Sequence, residues 1–206
     1  MTLGSIAQRE RQILCDLFIE LGPEAPTLCA GWVTADLAAH LVARDRRPDS
    51  GPGIVWPALA GYTDNVRRSV RDRWTWTELI TKLRRGPPLV LRPVDGPMNT
   101  LEFFIHVEDV RRGQVGWEPR VIAPDLADAL WARVGARGMA KRVHATIELR
   151  SPGRGAKVAG SGPRVVVSGD PGELTLFGAG RQQAAQVEIS GDDKLIAQLR
   201  SASLGI

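Results

Sequence analysis

The spacing of apolar residues changes once along this 206-residue chain, and that change constrains the fold more than any other feature. Up to about residue 140 the apolar positions recur at the three-to-four-residue period of helices that bury one stripe. From about residue 143 they alternate, as strands do. The pattern predicts an α+β protein. A helical bundle spans residues 1–141, and a small α+β domain with an antiparallel sheet spans residues 142–206.

Local signals divide the first part into helices. Ser5 caps a helix to Leu21 whose stripe holds Ile6, Ile13, Leu14, Leu17, Phe18 and Leu21, and Gly22-Pro23 ends it. A second helix starts at Thr34 or Asp36 and runs through DLAAHLVARDR until Pro48 and the SGPG stretch. A third runs from about Pro57 to Arg73, and a Thr75/Glu78 capping box opens a shorter one that ends at Arg85-Gly86-Pro87-Pro88. PPLVLRPVDGP reads as extended; Asn99 or Thr100 then caps the helix TLEFFIHVEDVRR, which Gly113 closes. A last helix covers Pro124 to about Lys141. In the second part VHATIEL, PRVVVSGD and AQVEISGD read as strands, SPGRGAKVAGSGP as a glycine-rich connection, and Pro171–Phe177 and Asp192–Ser201 as helices.

Charge and cysteine usage narrow the class. The net charge is only +4, just four of the 27 basic residues are Lys, and the Arg doublets at 46–47, 67–68, 84–85 and 111–112 are scattered. No basic block suits nucleic acid, so no nucleic-acid partner is expected. No run of about 18 apolar residues occurs, so no membrane span is expected, and the N-terminus lacks the apolar stretch of an export signal. Cys15 and Cys29 form no CxxC pair, which points to a reducing, cytoplasmic compartment and to inert thiols.

One helix carries the chemistry. Glu102 and His106 are four residues apart and share a face, with Asp109 continuing it, while Leu101, Phe103, Phe104, Ile105, Val107 and Val110 make the rest apolar. A carboxylate and an imidazole inside a bundle are costly unless something satisfies them, and a metal ion does so. His40, amid apolar neighbours in LAAHLV, is the natural third ligand. Two His and one Glu leave coordination positions open, as in catalytic zinc sites, and the set also accepts other divalent ions. Asp109 or Glu108 is placed to orient an imidazole N–H. The residues alone leave a second reading open: Glu102 as the partner of an Asn99 cap, and His106 and His40 as satisfied core histidines. His144 falls on a solvent-facing strand surface, and GAGRQQAA lacks the glycine spacing and preceding strand of a dinucleotide site.

The order GWVTADLAAHLVARDRRPD, then NTLEFFIHVEDVRRG, then an α+β tail resembles the mycothiol-dependent maleylpyruvate isomerase family, a member of the DinB-like metal-binding four-helix bundles. The similarity covers nearly the whole chain and is closest to an uncharacterised branch. It implies a divalent metal, zinc or another, held by His40, Glu102 and His106. It implies a tail similar to sterol-carrier folds, and an active-site role for Arg181 in FGAGRQQ. It also implies mycothiol as a cosubstrate, in a thiol-dependent transferase or cis–trans isomerase acting on an electrophilic small molecule, as monomer or homodimer. The alternatives are a metal-dependent hydrolase and a non-catalytic module that binds metal and a small ligand.

Overall fold

The computed structural model describes residues 2–46, 60–88 and 92–205. The chain divides into two compact units, Met1–Pro119 and Arg120–Ile206. The expected boundary near residue 141 thus lies inside the second unit. The helical segment before it packs with the sheet that follows, and its apolar residues complete that unit's core.

The first unit is helical: α1 (Leu3–Leu21), α2 (Thr34–Arg46), α3 (Ala60–Arg73), α4 (Trp76–Arg85) and α5 (Arg92–Arg111). Helix α1 packs along α5, and α2 packs against α3 and α4. Leu14 and Phe18 of α1, Leu37 and Leu41 of α2, Leu83 of α4 and Phe103, Val107 and Val110 of α5 share one core. Arg11 crosses it fully buried, pairs with Asp45 of α2, donates to Leu83 O (3.2 Å) and lies over the Phe103 ring (4.3 Å). Such a pair fixes register, because removing one partner strands the other charge.

Several helix ends differ from the expectation. Thr2, not Ser5, caps α1; its hydroxyl accepts from Ser5 N. The Thr75/Glu78 capping box is present in both directions. Helix α5 begins at Arg92, so Asn99 and Thr100 are interior residues rather than caps. Pro93 stands in the first turn, where a missing N–H costs nothing, so this proline opens the helix instead of breaking it. Glu102 therefore has no capping role. The stop expected at Pro48, the start at Pro57 and the extended residues 89–91 lie outside the described residues.

The second unit holds α6 (Pro124–Arg133), α7 (Arg137–Val143), β1 (Thr146–Ser151), β2 (Gly155–Ala159), β3 (Arg164–Ser168), α8 (Pro171–Gly178), β4 (Glu188–Gly191) and α9 (Asp193–Ser201). The single helix expected over 124–141 is broken at 134–136 into α6 and α7. The sheet order is β2-β1-β3-β4. β1–β2 and β3–β4 are antiparallel, but β1–β3 is parallel, so the sheet is mixed rather than antiparallel as expected. The cause is β2. It occupies one edge of β1 as a hairpin partner, and the chain then returns to the other edge of β1 running in the same direction. β2 lies in the segment read as a connection; it is short and largely exposed, with little hydrophobic alternation. His144 is exposed, as expected, but as the left-handed C-cap of α7 (φ 51°) rather than the start of a strand. Glu148, on the strand that follows, is buried under Arg150 and Arg164.

Candidate metal centre

Helix α2 and helix α5 bring three side chains together. Glu102 and His106 sit one turn apart on α5, with His106 Nε2 3.2 Å from Glu102 Oε1. His40 of α2 approaches the same oxygen, Nε2 to Oε1 3.6 Å, and the two imidazole rings stand edge to face with centroids 5.7 Å apart. One donor atom from each residue lies within 4.8 Å of the others. Two ligands about 2.1 Å from a tetrahedral zinc ion sit roughly 3.4 Å apart, so these donors fit around one small ion with little movement.

The surroundings hold the rings in place. His106 Nδ1 donates to Asp109 Oδ2 (2.9 Å), which leaves Nε2 facing Glu102 and His40. Asp109 is fully buried and also accepts from Cys29 Sγ (3.2 Å). Of the two acidic candidates for this role, Asp109 fills it; Glu108 instead pairs with Arg111 and Arg112. On the other side Trp32 packs against His40, centroids 5.2 Å apart. The loop that carries Cys29 and Trp32 is docked on the end of α5: Leu28 N donates to Asp109 O (3.0 Å) and Gln114 Nε2 to Pro26 O (2.9 Å). Gly113 permits the approach, since a Cβ there would lie 2.6 Å from Pro26 O.

The charges of the cluster shift one another's ionisation. Burial opposes the Glu102 charge, yet hydrogen bonds from His106 and His40, with the His106 and Arg44 charges, hold its carboxyl well below the usual range. Burial likewise opposes a charged His106, but Asp109, Cys29 and Glu102 outweigh it and raise this imidazole well above the ordinary histidine value. For His40 burial wins, and its pKa is lowered. The other cysteine, Cys15, is fully buried, and burial pushes its thiol up to about 11, which suits the inert role expected of it.

The three residues expected as ligands thus meet within the first unit. Arg181 belongs to the second unit, just after α8, where its Nη1 donates to Ala179 O (2.6 Å). Cys29, Trp32 and Arg44 were not singled out by the sequence. Arg44 had a signal, since it follows His40 by one turn on α2. Cys29 had none, because its contact spans 80 positions.

The fold and the cluster define a class: a helical unit carrying a His/Glu/His donor set, joined to an α+β unit with a mixed four-stranded sheet. No family model matches the sequence, and no curated protein matches it. Among solved structures, the crystal structure of the mycothiol-dependent maleylpyruvate isomerase has a similar fold, with a TM-score of 0.58 and 17% identity over 91% of this chain and 91% of that one. At that identity the likeness is one of fold.

Proposed function

We propose that the first unit binds one divalent metal ion, zinc by preference, through His40 Nε2, Glu102 and His106 Nε2, and that the protein uses it to activate a low-molecular-weight thiol against an electrophilic small molecule. The observation that carries this reading is the convergence of the three donors, backed by the Asp109 bond to His106. When bound, a divalent ion supplies a Lewis acid that converts a thiol into a thiolate at neutral pH.

The residues of the chain do the rest. Asp109 keeps the His106 Nδ1 proton and aims Nε2 at the cluster. Trp32 packs on the His40 ring and restricts its orientation. Arg181 is proposed to hold a carboxylate of the thiol or substrate, as a guanidinium does well. The thiol loses its proton to the medium and its sulfur adds to the electrophile. Addition breaks a π bond of the electrophile and moves its electron pair onto the activating group of that molecule. Protonation there by the medium, with the C–S bond retained, gives transfer, while rotation followed by expulsion of the thiolate re-forms the double bond and gives cis–trans isomerisation. Mycothiol is the candidate thiol because the similar fold belongs to a mycothiol-dependent isomerase. Two free cysteines suit a reducing, cytoplasmic setting.

The test is direct. Purified protein is assayed for bound metal, and thiol consumption is followed with a panel of electrophiles, with and without chelator. About one equivalent of metal and chelator-sensitive consumption are expected. Stoichiometric metal without turnover would leave a binding module, and His40→Ala with undiminished metal would remove the ligand assignment.

A further inference from the structure

Arg44 and His40 leave α2 on the same face, one turn apart. The Arg44 guanidinium donates through Nη1 to Asn99 Oδ1 (2.5 Å) and lies 3.5 Å from Glu102 Oε1. Side-chain exposure is 14% at His40, 10% at His106, 26% at Glu102 and 22% at Arg44, so the triad opens on the Glu102–Arg44 side. The guanidinium approaches Glu102 through Nη1, at a longer distance than its bond to Asn99. Elsewhere in the same unit Arg67 takes a carboxylate differently: its Nε and Nη2 both donate to Asp64, at 3.0 and 2.7 Å. Arg44 is therefore held at the mouth by Asn99 without being spent on a two-point pair with Glu102.

The charge balance gives this placement a meaning. A divalent ion brings two positive charges; Glu102 and Asp109 cancel them, and the neutral imidazoles add none. Arg44 leaves one positive charge over, at the open edge. A guanidinium there repels a metal ion and attracts an anion. We infer that Arg44 makes the open edge of the His40/Glu102/His106 triad a subsite for a monoanionic ligand, bound by guanidinium and metal ion together. The inference rests on the metal reading above and names the charge class of what that site takes.

The experiment uses the full chain loaded with cobalt(II), with azide as the probe and visible absorption as the readout. For Arg44→Gln, cobalt affinity is expected to hold within about threefold of the starting protein or to tighten, while azide binding weakens at least about tenfold, the loss of one charge-assisted contact. Arg44→Lys keeps the charge and is expected to hold azide within about threefold; it carries the comparison if Arg44→Gln does not fold. Azide affinity unchanged in Arg44→Gln overturns the inference, as does a parallel weakening of cobalt and azide, which marks a structural role. A tenfold azide loss in Arg44→Lys overturns the charge account. Failure of the unmodified protein to take up cobalt sinks the metal reading itself, which separates the two failures.

Discussion

Each unit withdraws a carboxylate from solvent, almost completely in one and partly in the other, and the two are satisfied in different ways. In the second unit Glu148, 2% exposed, is closed by two cations: Arg150 Nε at 2.6 Å and Arg164 from the neighbouring strand. In the first unit Glu102 meets two imidazole nitrogens at 3.2 and 3.6 Å and one guanidinium nitrogen at 3.5 Å. The partners of Glu148 are permanent charges. Two of the three partners of Glu102, the imidazoles, are bases, which satisfy a carboxylate only while they carry a proton on the facing nitrogen, and which turn lone pairs toward the same point when they lose it. Both carboxylates are at least partly shielded from water, and it is the partner that separates a structural pair from a site suited to exchange a proton for a metal ion.

The sharpest way to break this contrast is to remove one member of the triad. His106→Ala takes away the ligand that joins Glu102 to Asp109, and a fall in zinc affinity of at least about 100-fold is expected by competition with a chromophoric chelator. Retention of affinity within tenfold would place the ion elsewhere. Glu148→Gln is the mirror experiment. It leaves Arg150 and Arg164 without their shared anion, which should cost roughly 1–3 kcal/mol in denaturant unfolding, with metal stoichiometry unchanged. Metal loss in Glu148→Gln would mean that the distinction drawn between the carboxylates is false.

Asp109→Asn is expected to weaken zinc by about 10–100-fold, less than loss of a direct ligand, because it disturbs the orientation of one. It also carries a pH signature. The raised pKa means that metal-free His106 holds a proton at pH 7, on the nitrogen that a metal ion would take. Metal uptake must then eject it, so affinity rises with pH, about tenfold per unit, until the pH passes the His106 value. His40, with its lowered pKa, is already neutral at pH 7 and adds no such dependence. Asp109 supports the charged form of His106, so Asp109→Asn should reduce the proton released per zinc bound in lightly buffered solution at pH 7. An undiminished release would show that Asp109 does not govern this imidazole.

The legible and illegible parts of the molecule follow from the range of the interactions involved. Helices α1, α2 and α4 could be read from periodicity, and α4 also from its capping box, because both signals are local; the cap of α1 fell at Thr2 rather than at Ser5. The triad was legible for a related reason: Glu102 and His106 are neighbours on one face, and a mid-helix His40 in apolar company is a conspicuous third. The start of α5 was misread because prolines near a helix N-terminus resemble breakers. The parallel β1–β3 pairing was hidden because direction depends on whether GAKVA forms a strand at all, and that edge strand has almost no pattern. The outer contacts of the site, Cys29 with Asp109 and Trp32 with His40, arise where a loop docks, and nothing in the spacing of those residues announces it.

That docking gives the smallest effect and the finest test of the contrast. If Glu102 belongs to an oriented metal site, its geometry depends on the loop that brings Cys29 and Trp32 to the two imidazoles; if it is only a half-buried charge, the loop is irrelevant to metal. Gly113 controls the loop without touching a ligand, for a Cβ there would sit 2.6 Å from Pro26 O and 2.8 Å from Thr27 Cα, both backbone atoms that cannot rotate away. Gly113→Ala must therefore shift the loop, at about 1–3 kcal/mol, the usual cost of overpacking. Zinc affinity is expected to fall with it by about three- to tenfold, since the Cys29–Asp109 and Trp32–His40 contacts loosen together while every ligand remains. Cys29→Ala should reproduce part of that loss without the stability cost. A Gly113→Ala protein that melts earlier yet holds zinc as tightly as before would show that the loop only packs, and that the triad orients itself from α2 and α5 alone.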